Sequence, residues 1–312
     1  MTNQPFLQEV ENDSGLNNLK STQDWLKENK IFIELKLEEH GAIIFKDLPV
    51  KTAEDFDQFV STFNYDTFTY EESLSNAVRI NKTDKVFTAN EAPREVEIFL
   101  HHEMAQTPTY PKNIFFFCKS ASETGGETPL CRSDQLYEAL LKADKALVES
   151  FEKFGVIYNS IMSSGDELIS GQGRSWQKTL GVSSKNDAEE KLSKLGYSWN
   201  WIEDDNLSVT TKTLQATKEL GNGQKSFFNQ VIAASLGWKK NSENQIAPVR
   251  FGNGEEIKES YIELLSELAQ SLTLLRSWQD HDILLIDNYR VMHGRKPFAG
   301  NKNREVLVSL TN

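Results

Sequence analysis

Apolar residues recur at two different periods along this chain, and the change of period organises it. In STQDWLKENKIFIELKLEEHG they fall among charges at helical spacing and stop at Gly41, and AIIFKDLP then forms a short apolar run ended by Pro49. A helix followed by a buried strand is expected there. Thr52 stands where a helix N-cap belongs, with Phe56, Phe59, Val60 and Phe63 on one face of the turns that follow. From about residue 96 the period shortens. EIFLHHE, NIFFFCKS, ETPLCRS and VIYNSIM are apolar or aromatic runs broken by Gly, Pro, Ser and Asn, which predicts successive strands. Helical spacing returns in IKESYIELLSELAQSLTLL through Ile257, Tyr261, Leu264, Leu265, Leu268 and Leu272, and two further strands, DILLID and REVLVSL, complete the pattern. Residues 1–20 are polar and read as an irregular arm. Residues 164–225 are charged, glycine-punctuated and locally helical, which suits an insertion or lid rather than core sheet. With no repeat, low-complexity tract or proline-rich linker, residues 1–312 are expected to form one domain that is mainly β with α decoration.

Composition narrows the class of partner. The 34 Lys and Arg against 46 Asp and Glu give a net charge of −12, which disfavours nucleic acid or an anionic membrane as principal partner. MTNQPFLQEVENDSG has neither the basic nor the apolar stretch of a secretory leader, and no apolar run approaches the ~20 residues of a membrane helix. The two cysteines, Cys118 and Cys131, are too few for a disulfide scaffold. The expectation is a soluble protein of a reducing cytoplasm.

Candidate chemistry begins at FLHHEM. A strand places His101 and Glu103 on one face, and an imidazole with a carboxylate two residues on is half of the facial triad that holds non-haem iron while leaving positions open. In a chain with 46 acids among 312 residues, composition alone supplies about 0.7 such pairs, so a metal-free His and Glu at a strand end is the better reading of this motif alone. DILLIDNYRVMHGRKPF adds a second cluster, running a buried strand into a polar loop that carries His293, the natural third ligand. In REVLVSL, Arg304, Val306 and Val308 share a face. An Arg among apolar neighbours calls for a carboxylate, either from a structural Arg–Glu bridge or from a bound dicarboxylic acid held in a bidentate pair. Thr128 in GGETPL opens a strand after a two-glycine turn, where its hydroxyl either donates to a carboxylate or closes the turn.

In the order EEHGAIIFKDLP, VFTANEAP, FLHHEMAQTPTYP, GGETPL, GRSWQ, FFNQV, LLIDNYRVMHGRKPF and REVLVSL, the chain resembles the taurine dioxygenase-like (TauD/TfdA) oxygenases dependent on iron(II) and 2-oxoglutarate, in their clavaminate-synthase-like branch. The resemblance is nearly full length. It implies a double-stranded β-helix, or jelly roll, with an inserted lid. It also implies Fe(II) on His101, Glu103 and His293, 2-oxoglutarate on Arg304 and Thr128, and O2 as oxidant for hydroxylating an unactivated C–H bond of an amino-acid-like or amine-bearing metabolite. Taurine-specific members carry a second Arg four residues past the first; Val308 stands there, which argues against a sulfonate. Glu103 replaces the commoner Asp, and its presence argues against a radical halogenase, which lacks this carboxylate. Asn229, Trp176, Phe117 and Arg174 are candidates to line the substrate pocket, with Arg79 or Arg174 meeting a substrate carboxylate. For each, the blander role of core aromatic, core polar group or solvated Arg competes. Two alternatives remain on the sequence alone. A zinc hydrolase would use the same triad to activate water, and a non-catalytic jelly-roll binding protein would turn nothing over.

Overall fold

The computed structural model describes residues 6–68, 74, 75, 77, 79–166, 173–238 and 246–312. Two facing sheets make its centre. The larger runs Gln8–Val10, Ala42–Phe45, Ile283–Asp287, Asn113–Ser120, Glu305–Thr311 and Thr67–Phe68, with Phe87–Thr88 also paired to Glu305–Thr311. The smaller is Thr273–Arg276, Thr128–Arg132, Val291–Arg295 and Ile98–His101. This is the jelly roll expected from the sequence.

Alternation along the larger sheet separates two cores. In Asn113–Ser120, Phe115 and Phe117 face the helices Leu19–His40 and Ala53–Ser61, packing with Phe45, Phe56, Phe59 and Phe63. Their neighbours Ile114, Phe116 and Cys118 face the smaller sheet with Leu130, Val291, Val306 and Val308. A strand buried on both faces reads as a continuous apolar run, so NIFFFCKS announces a strand and conceals which residues face which core. Behind the smaller sheet, Met292 and Cys131 pack against the helices Ser133–Ala143, Lys145–Phe154, Val231–Gly237 and Glu259–Ser271. Both cysteines are free and buried, their thiols pushed up to about 12 by burial. No helix among the described residues is long and apolar enough to cross a membrane.

The helix over residues 19–40 begins at an Asn18–Ser21 capping box and stops at Gly41, and the Thr52 cap is present with Asp55 as its reciprocal partner. Two expectations change. Gln8–Val10, inside the polar arm, pairs in parallel with Ala42–Phe45; three residues that bury little are held by the ladder, which hydropathy does not register. Within 164–225, of which 167–172 lie outside the described residues, Ser198–Trp201 and Leu207–Thr210 extend a sheet onto Val156–Met162. The segment is therefore not only helical.

Candidate active site

His101 ends its strand, and its partner across the ladder is His293. Opposed residues of an antiparallel pair project to one face, and the two rings meet with centroids 4.5 Å apart. His293 lies inside Val291–Arg295 rather than in a loop, because Asn288–Arg290 form a tight turn that returns the chain to the sheet. Glu103 is not on a strand. The chain leaves the ladder after His101, and Glu103 opens a turn whose next residue, Met104, has a φ of 59°.

Asn288 stands in for the missing strand. Its Oδ1 accepts from the Glu103 N–H at 2.8 Å, and its Nδ2 donates to the carbonyls of Glu103 at 3.0 Å and Pro111 at 2.8 Å. Both backbone groups of Glu103 are thereby satisfied without a ladder. His102 points the other way, fully buried with its ring on Phe228 and its Nδ1 donating to the Asn288 carbonyl.

The ligating atoms of His101, Glu103 and His293 lie within 4.8 Å of one another. His101 donates from Nδ1 to the Phe99 carbonyl at 2.8 Å, which leaves Nε2 as the atom with a lone pair. Burial, reinforced by the His293 ring, pushes the His101 imidazole down to about 4, so at neutral pH it holds the form that ligates. Burial works to raise the Glu103 carboxyl, but Arg79 and then His293 outweigh it and hold the group below the usual carboxylate range. Two imidazoles and one carboxylate brought together in a buried site match the donor set and number of a facial iron triad.

A cavity of about 370 Å³ joins this cluster to Arg304, Thr128, Phe116 and Val306. Trp278 donates from Nε1 to Thr128 Oγ1 at 2.9 Å; since indole is a donor only, the hydroxyl proton is left to point elsewhere. Arg304 lies with its guanidinium 5.2 Å from the Phe298 ring and donates to the Gly126 carbonyl at 3.2 Å. A structural Arg–Glu bridge is not what is found: Glu305 pairs with Lys82 and Lys119, and among the described residues no carboxylate acts on Arg304. The glycine pair in GGETPL makes room for this arrangement. Gly126 has a φ of 75°, and a Cβ there would stand 2.9 Å from Arg304 Nε.

Of the five residues expected to touch substrate, Arg79 borders the cavity, with Nη2 3.2 Å from Glu103 Oε1. The other four do not line it. Phe117 has the wrong parity and stacks on Phe56 in the helix-side core, while Phe116 takes the cavity position. Asn229 is consumed locally, donating to the Ala216 carbonyl and accepting from the Val231 N–H. Trp176 is buried with Leu180, Leu192 and Tyr197, its indole on the Asp205 carbonyl. Arg174 has its carbonyl bonded by the Thr179 hydroxyl at the start of the helix Trp176–Leu180. Gln106, Asn159, Gln230, Trp238 and Arg295 line the cavity and were not anticipated. Arg295 had a signal, since it lies two residues past His293 on what proves to be a strand.

A jelly roll carrying such a triad beside an Arg and a Thr defines an oxygenase that uses iron(II) and 2-oxoglutarate. Residues 7–310 match the model of the taurine catabolism dioxygenase TauD, TfdA family, and the chain belongs to that family. It is 33% identical over 286 residues to a clavaminate synthase-like protein of Arabidopsis thaliana, covering 91% of this chain and 86% of that protein. It is 27% identical over 289 residues to a dapdiamide synthesis protein of Enterobacter agglomerans, covering 88% and 83%. A taurine dioxygenase from Burkholderia xenovorans shares the fold with a TM-score of 0.53 at 12% identity, over 91% of this chain and 80% of that one. The protein is an oxidoreductase of this dioxygenase class, and the hydrolase and non-catalytic readings fall away.

Proposed function

We propose that the protein hydroxylates an unactivated C–H bond of a small amino-acid-like or amine-bearing metabolite, with His101, Glu103 and His293 holding Fe(II) and with Arg304 and Thr128 holding the distal carboxylate of 2-oxoglutarate. One observation carries the reading: three ligating atoms within 4.8 Å of one another border the same cavity as a guanidinium that no described carboxylate neutralises. When bound, iron and 2-oxoglutarate supply the oxidising chemistry, consuming O2 and releasing succinate and CO2.

The residues of the chain bind, orient and exclude water. Phe99 fixes the tautomer of His101, and Asn288 fixes the backbone of Glu103. Trp278 turns the Thr128 hydroxyl into a donor, so that Thr128 and the Arg304 fork present convergent N–H and O–H groups to one carboxylate. Phe116, with its ring 5.3 Å from that of His293, walls the cavity against solvent. Around the remaining space stand the polar side chains of Gln106, Asn159 and Gln230, the last two with their amide nitrogens bonded to Thr210 and to the His102 carbonyl, and Glu97, which pairs with Lys296. That lining suits a zwitterion better than a lipid. Residues 1–312 act as one domain, and the 164–225 insertion contributes Asn206 to the cavity wall.

The test is succinate release from purified protein given Fe(II), 2-oxoglutarate and O2, with and without a panel of amino acids, amines and short peptides. Substrate-stimulated succinate that disappears in His293→Ala is expected. No iron-dependent succinate, or the same amount from the variant, overturns the reading.

A further inference from the structure

Glu103 turns its two carboxylate oxygens to different neighbours. Oε2 lies 3.4 Å from His293 Nε2, on the side of the triad, and Oε1 lies 3.2 Å from Arg79 Nη2. Arg79 is anchored independently of this contact. Its Nη1 donates to the Thr88 carbonyl at 3.5 Å, and the next residue, Ile80, exchanges hydrogen bonds with Thr88 through its N–H to Oγ1 at 3.0 Å and its carbonyl from the Thr88 N–H at 2.9 Å. Thr88 is itself in a strand paired to Glu305–Thr311. The guanidinium is thus held from the larger sheet and presented to Glu103, with both side chains more than nine-tenths buried.

A carboxylate binds a metal through one oxygen or through both. A glutamate, one methylene longer than aspartate, has the reach and freedom to do either. The difference matters at a facial triad, because a second oxygen would take one of the three positions that a chelating 2-oxo acid and O2 require. We propose that Arg79 is a positioning residue that sets the denticity of Glu103: it engages Oε1 in a charge-assisted hydrogen bond and leaves Oε2 as the single oxygen available to the metal. This rests on the reading of His101, Glu103 and His293 as the iron site. On this account the long carboxylate is accommodated because its extra reach is spent on Arg79, and Arg79 acts before any substrate arrives.

Arg79→Met, which keeps the bulk of the stem, and Arg79→Lys, which restores one donor, separate this role from others. Each is checked for a cooperative thermal transition, then titrated without substrate, with Mn(II) followed by electron paramagnetic resonance for metal affinity and, anaerobically in the Fe(II)-loaded protein, with 2-oxoglutarate followed by the visible charge-transfer band. Arg79→Met is expected to bind metal within about threefold of wild type while its affinity for 2-oxoglutarate falls at least about tenfold and the band weakens; Arg79→Lys recovers most of the loss. Unchanged 2-oxoglutarate binding and band in Arg79→Met overturn the proposal, including the case where only turnover with substrate suffers, which would make Arg79 a substrate-binding group. A loss of metal affinity as large as the loss for 2-oxoglutarate also overturns it, since Arg79 would then merely support the ligand. Absence of the band in wild type is a separate result that removes the iron-site reading itself and the proposal with it.

Discussion

Replacing Arg304 should weaken 2-oxoglutarate far more than a 2-oxo acid that lacks a distal carboxylate. The guanidinium is partly buried, donates once to Gly126, rests on Phe298, and has no carboxylate partner among the described residues. A bidentate pair with the distal carboxylate would contribute two charge-assisted hydrogen bonds, and truncating one side of such a buried pair costs about 2–5 kcal/mol. At about 1.4 kcal/mol per decade, Arg304→Ala should raise the Kd for 2-oxoglutarate by roughly 30-fold to several thousand-fold. Arg304→Lys keeps the charge and loses the fork, so a smaller loss of about 10- to 100-fold is expected. The assay is the anaerobic charge-transfer titration, run in parallel with 2-oxobutanoate, which has the chelating head and no distal carboxylate. The two substitutions, in protein and in ligand, form a cycle. Arg304→Ala should hardly change the affinity for 2-oxobutanoate. If both acids lose equally, or if 2-oxoglutarate stays within about threefold of wild type, Arg304 does not hold the distal carboxylate.

Acid should destabilise the metal-free protein. Burial pushes His101 down to about 4 and His102 to about 3 in the folded chain, below the unfolded value near 6.5. Folded values below the unfolded one mean stability that is full above about pH 6.5 and is lost as pH falls toward 4, by up to about 1.4 kcal/mol per pH unit for each ring. Urea midpoints at neutral and mildly acid pH measure this, and a pH-independent midpoint would show that the rings are not held neutral. Asn288→Asp, which removes the donors to Glu103 and Pro111, should lower Mn(II) affinity by about 10- to 100-fold in the folded protein. The control is Asn113→Asp, another buried amide, bonded to Thr311 away from the triad, whose metal affinity should match wild type.

Residue identity carried the centre of the site, while local geometry was legible only where one period governed. His101, Glu103, His293, Thr128 and Arg304 stand out because imidazoles are scarce in this chain and an Arg among valines needs an explanation. The backbone route to them was misread. Glu103 was placed by strand alternation and is delivered by a turn clamped from Asn288, a contact across 185 positions that no local pattern encodes. Phe117 is the candidate named from the sequence and Phe116 lines the cavity, because a strand buried on both faces has no polar residue to mark which side is which. Asn229 and Trp176 looked available as polar and aromatic side chains, and each is used up by short-range bonds and packing. Gly294 shows the same limit. A Cβ there would lie 2.3 Å from the Ile98 carbonyl, so the glycine after His293 reports the closeness of a distant strand.

The pairing of His101 with His293 also fixes when the site can exist. The two residues are separated by nearly two-thirds of the chain, yet Val291–Arg295 is an interior strand, seated between Ile98–His101 and Thr128–Arg132. Interior strands that come late in sequence complete a sheet only after both neighbours have been synthesised and have left a gap for them, and the long closure makes that step slow. A nascent chain that has displayed FLHHEM therefore lacks the imidazole of His293 that faces His101 across the ladder. His293 and Arg304 arrive only with the segment that closes the roll, so on the proposed assignment iron and co-substrate would be gathered at a folded interior rather than along an exposed, growing polypeptide.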